Sequence, residues 1–104
     1  MTYKVKDVYD PAATADFIHI VRVDLLSTPI IKVLFDDGAE RTIDFSPVIA
    51  RSKWFRTLDV PTTFETVEVI NNGRALQWET GADYCADALR ILGDEQLAAK
   101  GMSA

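Results

Sequence analysis

Two turn signals, each flanked by alternating apolar residues, constrain this chain more than any other feature. Asn72-Gly73 separates Val67-Glu68-Val69-Ile70 from Ala75-Leu76-Gln77-Trp78. Asn-Gly is a preferred centre for a two-residue hairpin turn because both positions adopt positive φ. That loop sets Val69 opposite Leu76 and Val67 opposite Trp78 on one side. Glu68 then meets Gln77 and Ile70 meets Ala75 on the other, so both strands agree on a single core face. The earlier turn, Phe35-Asp36-Asp37-Gly38, needs an argument about register. A two-residue loop at Asp37-Gly38 would bring Glu40, Thr42 and Asp44 opposite Phe35, Val33 and Ile31, sending charge onto the face that must be buried. A three-residue loop, Asp36-Asp37-Gly38 with Gly38 left-handed in a bulge, instead pairs Phe35 with Ala39, Val33 with Arg41 and Ile31 with Ile43. A slip of one residue turns every side chain to the other face, so the bulged form is expected, with positive φ at Gly38.

The remaining elements are shorter or less regular. Phe17, Val21, Val23 and Leu25 are apolar at odd positions with Arg22 and Asp24 between them, the period of a half-buried strand, and Ser27-Thr28-Pro29 supplies the turn after it. A short strand around Val5 to Tyr9 is weakly signalled. Ser46 is placed to cap a helix of about Pro47 to Ser52, because its hydroxyl can accept an orphaned amide and proline has no amide to satisfy. Thr62 or Thr63 opens another single turn at Phe64. Asp83 is expected to cap a helix of about Tyr84 to Leu92, with Cys85, Ala88, Leu89 and Leu92 on its apolar stripe and Gly93 as its end. The expected fold is α+β: a small two-layer domain whose antiparallel sheet is built from two hairpins plus an N-terminal strand, packed by two or three short helices. Residues 1–16 form an N-terminal extension, 17–93 the domain and 94–104 a C-terminal tail.

Composition narrows the function classes. The 104 residues suffice for one core, and no stretch approaches the roughly 20 apolar residues of a membrane span. With one cysteine, no internal disulfide, and no apolar run of a secretion signal at the start, the expected location is the cytoplasm. The net charge of −5, with Lys and Arg scattered apart from Arg51, Lys53 and Arg56, repels phosphate backbones, so neither direct nucleic-acid binding nor membrane association is expected.

The run from Ile20 to Leu92 carries a resemblance. Val23, the Phe35 to Gly38 turn, Ile43-Asp44-Phe45-Ser46-Pro47, Trp54-Phe55 through Leu58, Phe64 with Val67 and Val69, and Leu76 through Trp78 with Gly81-Ala82-Asp83 resemble the bacterial domain of unknown function 2442 family (DUF2442). The resemblance implies a small α+β domain and no established activity. Some relatives carry a helix-turn-helix region after the shared domain, and others are encoded beside a small partner protein. The few residues after Leu92, and Glu79-Thr80 beside Trp78, depart from those relatives and leave no DNA-binding region expected here.

No motif assembles a recognisable reaction centre, and no catalytic residue, cofactor or metal is assigned. His19, the one histidine, shares strand parity with Val21 and Val23; it is either a general base beside a buried carboxylate or a satisfied core residue. Asp36 and Asp37 offer oxygens to a hard cation but are too few for one and suit a turn. Glu79, Asp83 and Asp87 could converge near a helix start as a metal or acid/base site, the alternative enzymatic reading. The plainer reading has Asp83 capping, Asp87 paired with Arg90 and Glu79 in solvent. Cys85 is expected to be buried and inert. Trp54, Phe55 and Leu58 either roof the core or form a patch for a protein partner or a second copy. The leading reading is a non-enzymatic interaction or accessory/regulatory module, with accessory to a nucleic-acid-binding partner as a further alternative.

Overall fold

A computed structural model describes residues 17–103 of the chain. The weakly signalled strand near Val5 lies outside the described residues. The α+β class holds, and among the described residues six strands form two antiparallel sheets of three rather than one sheet. The first sheet runs in the order β1 (Ile20–Leu25), β2 (Ile30–Phe35), β3 (Glu40–Asp44); the second runs β4 (Glu68–Ile70), β5 (Ala75–Gln77), β6 (Asp83–Cys85). Between them lie a short helix α1 (Ser46–Arg51), a 3-10 segment Lys53–Asp59 and a single turn α2 (Pro61–Phe64). A long helix α3 (Ala86–Ser103) follows the second sheet and packs on β3.

Both expected hairpin registers are present. Val33 pairs with Arg41 and Ile31 with Ile43, Gly38 has φ +89°, and the Phe35 amide donates to the Ala39 carbonyl at 2.9 Å. Glu68 pairs with Gln77, Val69 with Leu76 and Ile70 with Ala75, with Asn72 and Gly73 at φ +54° and +88°. Strand parity in β1 differs from expectation. Ile20 pairs with Phe35 but Arg22 with Leu34, so Val21 is an extra residue in a bulge. The bulge turns Ile20 inward together with Val23 and leaves Phe17 exposed.

A third hairpin overturns the expected helix at Tyr84. Trp78-Glu79-Thr80-Gly81-Ala82 repeats the turn of Phe35-Asp36-Asp37-Gly38-Ala39. In each, the first amide donates to the last carbonyl (2.9 Å in both), the glycine amide returns to the first carbonyl, and the glycine is left-handed, at +91° and +89°. A side-chain oxygen in the middle, Thr80 Oγ1 or Asp37 Oδ1, accepts from the closing alanine amide. This turn continues the chain as β6, whose backbone pairs with β5, so Asp83 belongs to a strand and caps no helix. Helix α3 begins three residues later and runs through Gly93. A Cβ at Gly93 would stand 3.0 Å from Arg41 Cβ and 3.2 Å from Ile43 Cδ1, so the glycine allows close approach to β3 rather than ending the helix. Ser46 likewise does not cap α1. It is the first helical residue, and its amide donates to Asp44 Oδ1 at 2.8 Å.

The core joins both sheets around an aromatic cluster. Phe45 meets Phe64, Trp78 and Tyr84 edge to face, at centroid distances of 6.1, 5.6 and 5.6 Å. Trp78 stacks on Phe64 and its indole N–H donates to the Phe64 carbonyl at 3.1 Å, which satisfies the polar end of a buried ring. Val23, Ile31, Val33 and Ile43 from the first sheet, and Val67, Val69 and Leu76 from the second, are all buried.

Ion pairs tie α3 to the hairpins. Arg90 reaches Asp37 at 2.8 Å and Asp94 at 3.1 Å, Arg41 reaches Asp94 at 2.8 Å, and Arg74 holds Asp87 at 2.9 Å. The Arg90 guanidinium holds the Asp37 carboxyl below the ordinary carboxylate range; Arg74 does so for Asp87, and Arg41 with Arg90 for Asp94. Groups depressed in the folded state contribute stability above their unfolded values and lose it as pH falls through the folded ones. Unfolding free energy is therefore expected to decline as the pH is lowered from about 4. All three side chains are about half exposed, so water and salt screen each pair to a few tenths of a kcal/mol, on the order expected of surface pairs. Urea titrations across that range check this, and a midpoint unchanged from pH 6 to pH 3 contradicts it.

Candidate functional site

On the first sheet a buried histidine, His19, meets the partly exposed carboxylate of Asp36. Because Ile20 lies opposite Phe35, the next pair outward sets His19 beside Asp36, and the Asp36 amide donates to the His19 carbonyl at 2.9 Å. The Asp36 carboxylate accepts the His19 backbone amide through Oδ1 and lies 3.1 Å from Nδ1 through Oδ2. The imidazole is fully buried. Asp36 thus fastens the start of β1 to the first turn, while its neighbour Asp37 serves the turn and Arg90. The register of β1 against β2 was the missing signal for this pair, since the bulge at Val21 hides it from any reading by parity.

The acidic trio is distributed over three elements. Glu79 is exposed in the β5–β6 turn, and its backbone amide donates to Thr66 Oγ1 at 3.0 Å. Asp83 is exposed in β6. Asp87 lies in the first turn of α3 and is held by Arg74, not by Arg90, whose partners are Asp37 and Asp94. Arg74 also donates to the Ile18 carbonyl and lies 5.1 Å over the Phe17 ring, locking the beginning of the described chain to α3. Among the described residues no group of three or more His, Cys, Asp and Glu side chains is placed to hold a metal ion.

Cys85 is exposed, contrary to the expectation of burial. A strand, not a helix, carries it, so the apolar stripe that would have buried it does not include it. It directly precedes α3, and its Sγ accepts the Ala88 amide at 3.4 Å, a position where a helix leaves amides without internal partners. Native protein is expected to react with one equivalent of a water-soluble disulfide reagent at a rate near that of the unfolded chain. A thiol that reacts only after denaturant is added contradicts this exposure.

The aromatic segment after α1 divides between core and surface. Leu58 is fully buried, and Phe55 packs edge to face on Tyr84 at 5.7 Å. Burial of the Tyr84 ring raises its hydroxyl above the ordinary value. Trp54 turns outward, 59% exposed, with Val60 at 48% later in the same segment. Ser52 Oγ accepts the Trp54 amide at 3.2 Å and fixes the start of the 3-10 segment, so an anchored backbone presents the indole.

These features define a small antiparallel α+β domain with one large aromatic displayed on a short, core-anchored segment. The chain belongs to the family described as Protein of unknown function (DUF2442), whose model matches residues 20–91. No curated protein and no solved structure gives a significant match. No helix among the described residues is long and apolar enough to cross a membrane.

Proposed function

We propose that this protein is a non-enzymatic interaction module of the cytoplasm that docks a protein partner through the surface carrying Trp54. The observation that supports this reading is the outward Trp54, held by a segment whose neighbours Phe55 and Leu58 spend their own apolar area on the core. An indole offers a large, stiff contact area at low conformational cost, which is why tryptophan is enriched among residues that dominate binding energy. The acidic balance of the chain, net −5, favours a partner with basic character.

The test compares proteins recovered from native cells with the wild-type protein and with Trp54→Ala as baits. Because Trp54 is mostly exposed, its removal is expected to leave folding intact while abolishing recovery of a stoichiometric partner. Sedimentation showing a strict monomer, together with recovery of the same proteins by both baits, ends the reading.

A further inference from the structure

The first sheet has one edge that helix α3 closes only in part. The Phe35 amide bonds to the Ala39 carbonyl and the Phe45 amide to the Pro29 carbonyl at the two ends of the β2–β3 pair, so by alternation Arg41 and Ile43 are the hydrogen-bonded positions and the backbone groups of Glu40, Thr42 and Asp44 point away from β2. At Asp44 the place of a neighbouring strand is taken by a side chain: Gln96 Oε1 accepts the Asp44 amide and Gln96 Nε2 donates to the Asp44 carbonyl, both at 2.8 Å. A carboxamide carries the donor and acceptor that a peptide group would offer there. Two residues upstream, the outward amide and carbonyl of Thr42 have no partner among the described residues. The Glu40 carbonyl accepts from the Arg41 guanidinium at 2.9 Å. Beside this open stretch lies a cleft of about 140 Å³ lined by Glu40, Arg41, Thr42, Gln96, Leu97 and Lys100, with Leu97 half exposed. A space of roughly that volume admits one branched or aromatic side chain.

Resting on the interaction-module reading, we propose that an extended segment of a basic partner chain adds to β3 as a fourth strand, setting one apolar side chain against Leu97. Main-chain pairing at Thr42 supplies the register and the cleft supplies the choice of side chain, as in strand addition generally. Charge selects the occupant. A second copy would pair β3 with β3 about a two-fold axis; registers centred on Thr42, Glu40 or Arg41 oppose Glu40 to Asp44, Glu40 to Glu40 or Arg41 to Arg41, and the register centred on Ile43 needs the Asp44 backbone edge that Gln96 already fills. Like charges directly opposite destabilise a strand pair. A different chain meets no such conflict when it sets a basic residue against Asp44, while Glu40 is already paired within its own sheet with Arg22 at 3.6 Å and Lys32 at 4.0 Å. On the helix side, Arg41 and Lys100 flank Leu97, and the facing residue there is apolar.

The probe is a short acetylated peptide alternating lysine and valine, tested against a glutamate–valine counterpart and a lysine–valine peptide whose alternate amides are methylated. The lysine–valine peptide is expected to bind and to slow hydrogen exchange at the Thr42 amide, and the other two peptides to do neither. Leu97→Ser, at an exposed helical position, is expected to weaken binding about tenfold. Gln96→Ala, which frees the Asp44 edge, is expected to strengthen it. Equal binding of the methylated peptide, an unprotected Thr42 amide, or no binding at all overturns the proposal. Protection of Thr42 that appears with protein concentration alone assigns the edge to a second copy and also overturns it. Each of these failures leaves the loss of partner recovery in Trp54→Ala untouched, so the interaction-module reading stands or falls separately.

Discussion

Alanine at Gly73 is expected to cost this domain about 2–5 kcal/mol, a large share of the roughly 5–15 kcal/mol that holds a domain together. Two effects combine. The residue has φ +88°, where a Cβ crowds its own backbone at a cost of about 1–2 kcal/mol. The added Cβ would also stand 2.6 Å from the Ile20 carbonyl oxygen and 3.1 Å from the Ile20 nitrogen. Those are backbone atoms of the bulged β1, so no rotamer change relieves the contact, and the two sheets must separate at the point where the second hairpin touches the first strand. Overpacking of this kind costs about 1–3 kcal/mol. Gly38→Ala isolates the first effect, because Gly38 has φ +89° and no atom within 4 Å of a built Cβ. Urea denaturation of both variants is expected to show Gly38→Ala losing only about 1–2 kcal/mol. Equal losses would mean that the approach of Gly73 to Ile20 carries no energy.

The second large effect is expected at Trp78. Trp78→Ala is expected to destabilise by about 3–5 kcal/mol, the range for emptying an aromatic site in a core. The ring is 2% exposed and contacts both Phe45 and Phe64, so its loss removes the surface on which the second sheet meets the loop between the sheets. The deletion also leaves the Phe64 carbonyl without the indole N–H. Trp78→Phe, which keeps a ring but not the donor, is expected to lose about half as much, since the Phe64 carbonyl keeps only the long 3.4 Å bond from the Val67 amide and a lost buried hydrogen bond costs about 1 kcal/mol beside the smaller ring's lost packing. Trp54→Ala is the contrast, within about 0.5 kcal/mol of wild type, as befits a mostly exposed side chain. Denaturation followed by far-ultraviolet circular dichroism checks all three. A small loss at Trp78 with a large one at Trp54 would reverse the assignment of the two tryptophans to core and surface.

What could be read from the residues alone follows the range of the interactions involved. The turns at Asp36-Asp37-Gly38 and Asn72-Gly73 act within a few residues, and matching apolar faces selects one register for each. Those hairpins, the burial of Trp78 and the family were legible for that reason. The turn at Glu79-Thr80-Gly81 carried the same chemistry as the first, an aromatic before and an alanine after. It was obscured because Asp83 before an apolar stretch is also a helix start. Pairing with β5 decides between the two, and that pairing is a tertiary contact. The same competition moved Cys85 from a helix stripe to an exposed strand end and dispersed Glu79, Asp83 and Asp87.

Local chemistry in the chain therefore determined the hairpins, their registers and the apolar set that closes over Trp78, since steric limits on φ and strand periodicity act between near neighbours. Tertiary structure alone decided the division into two sheets, the bulge at Val21 that buries His19 against Asp36, the passage of α3 through Gly93 and the half-closed edge at Thr42. Each of these depends on which distant backbone groups meet, and neither side-chain periodicity nor turn propensity carries that information.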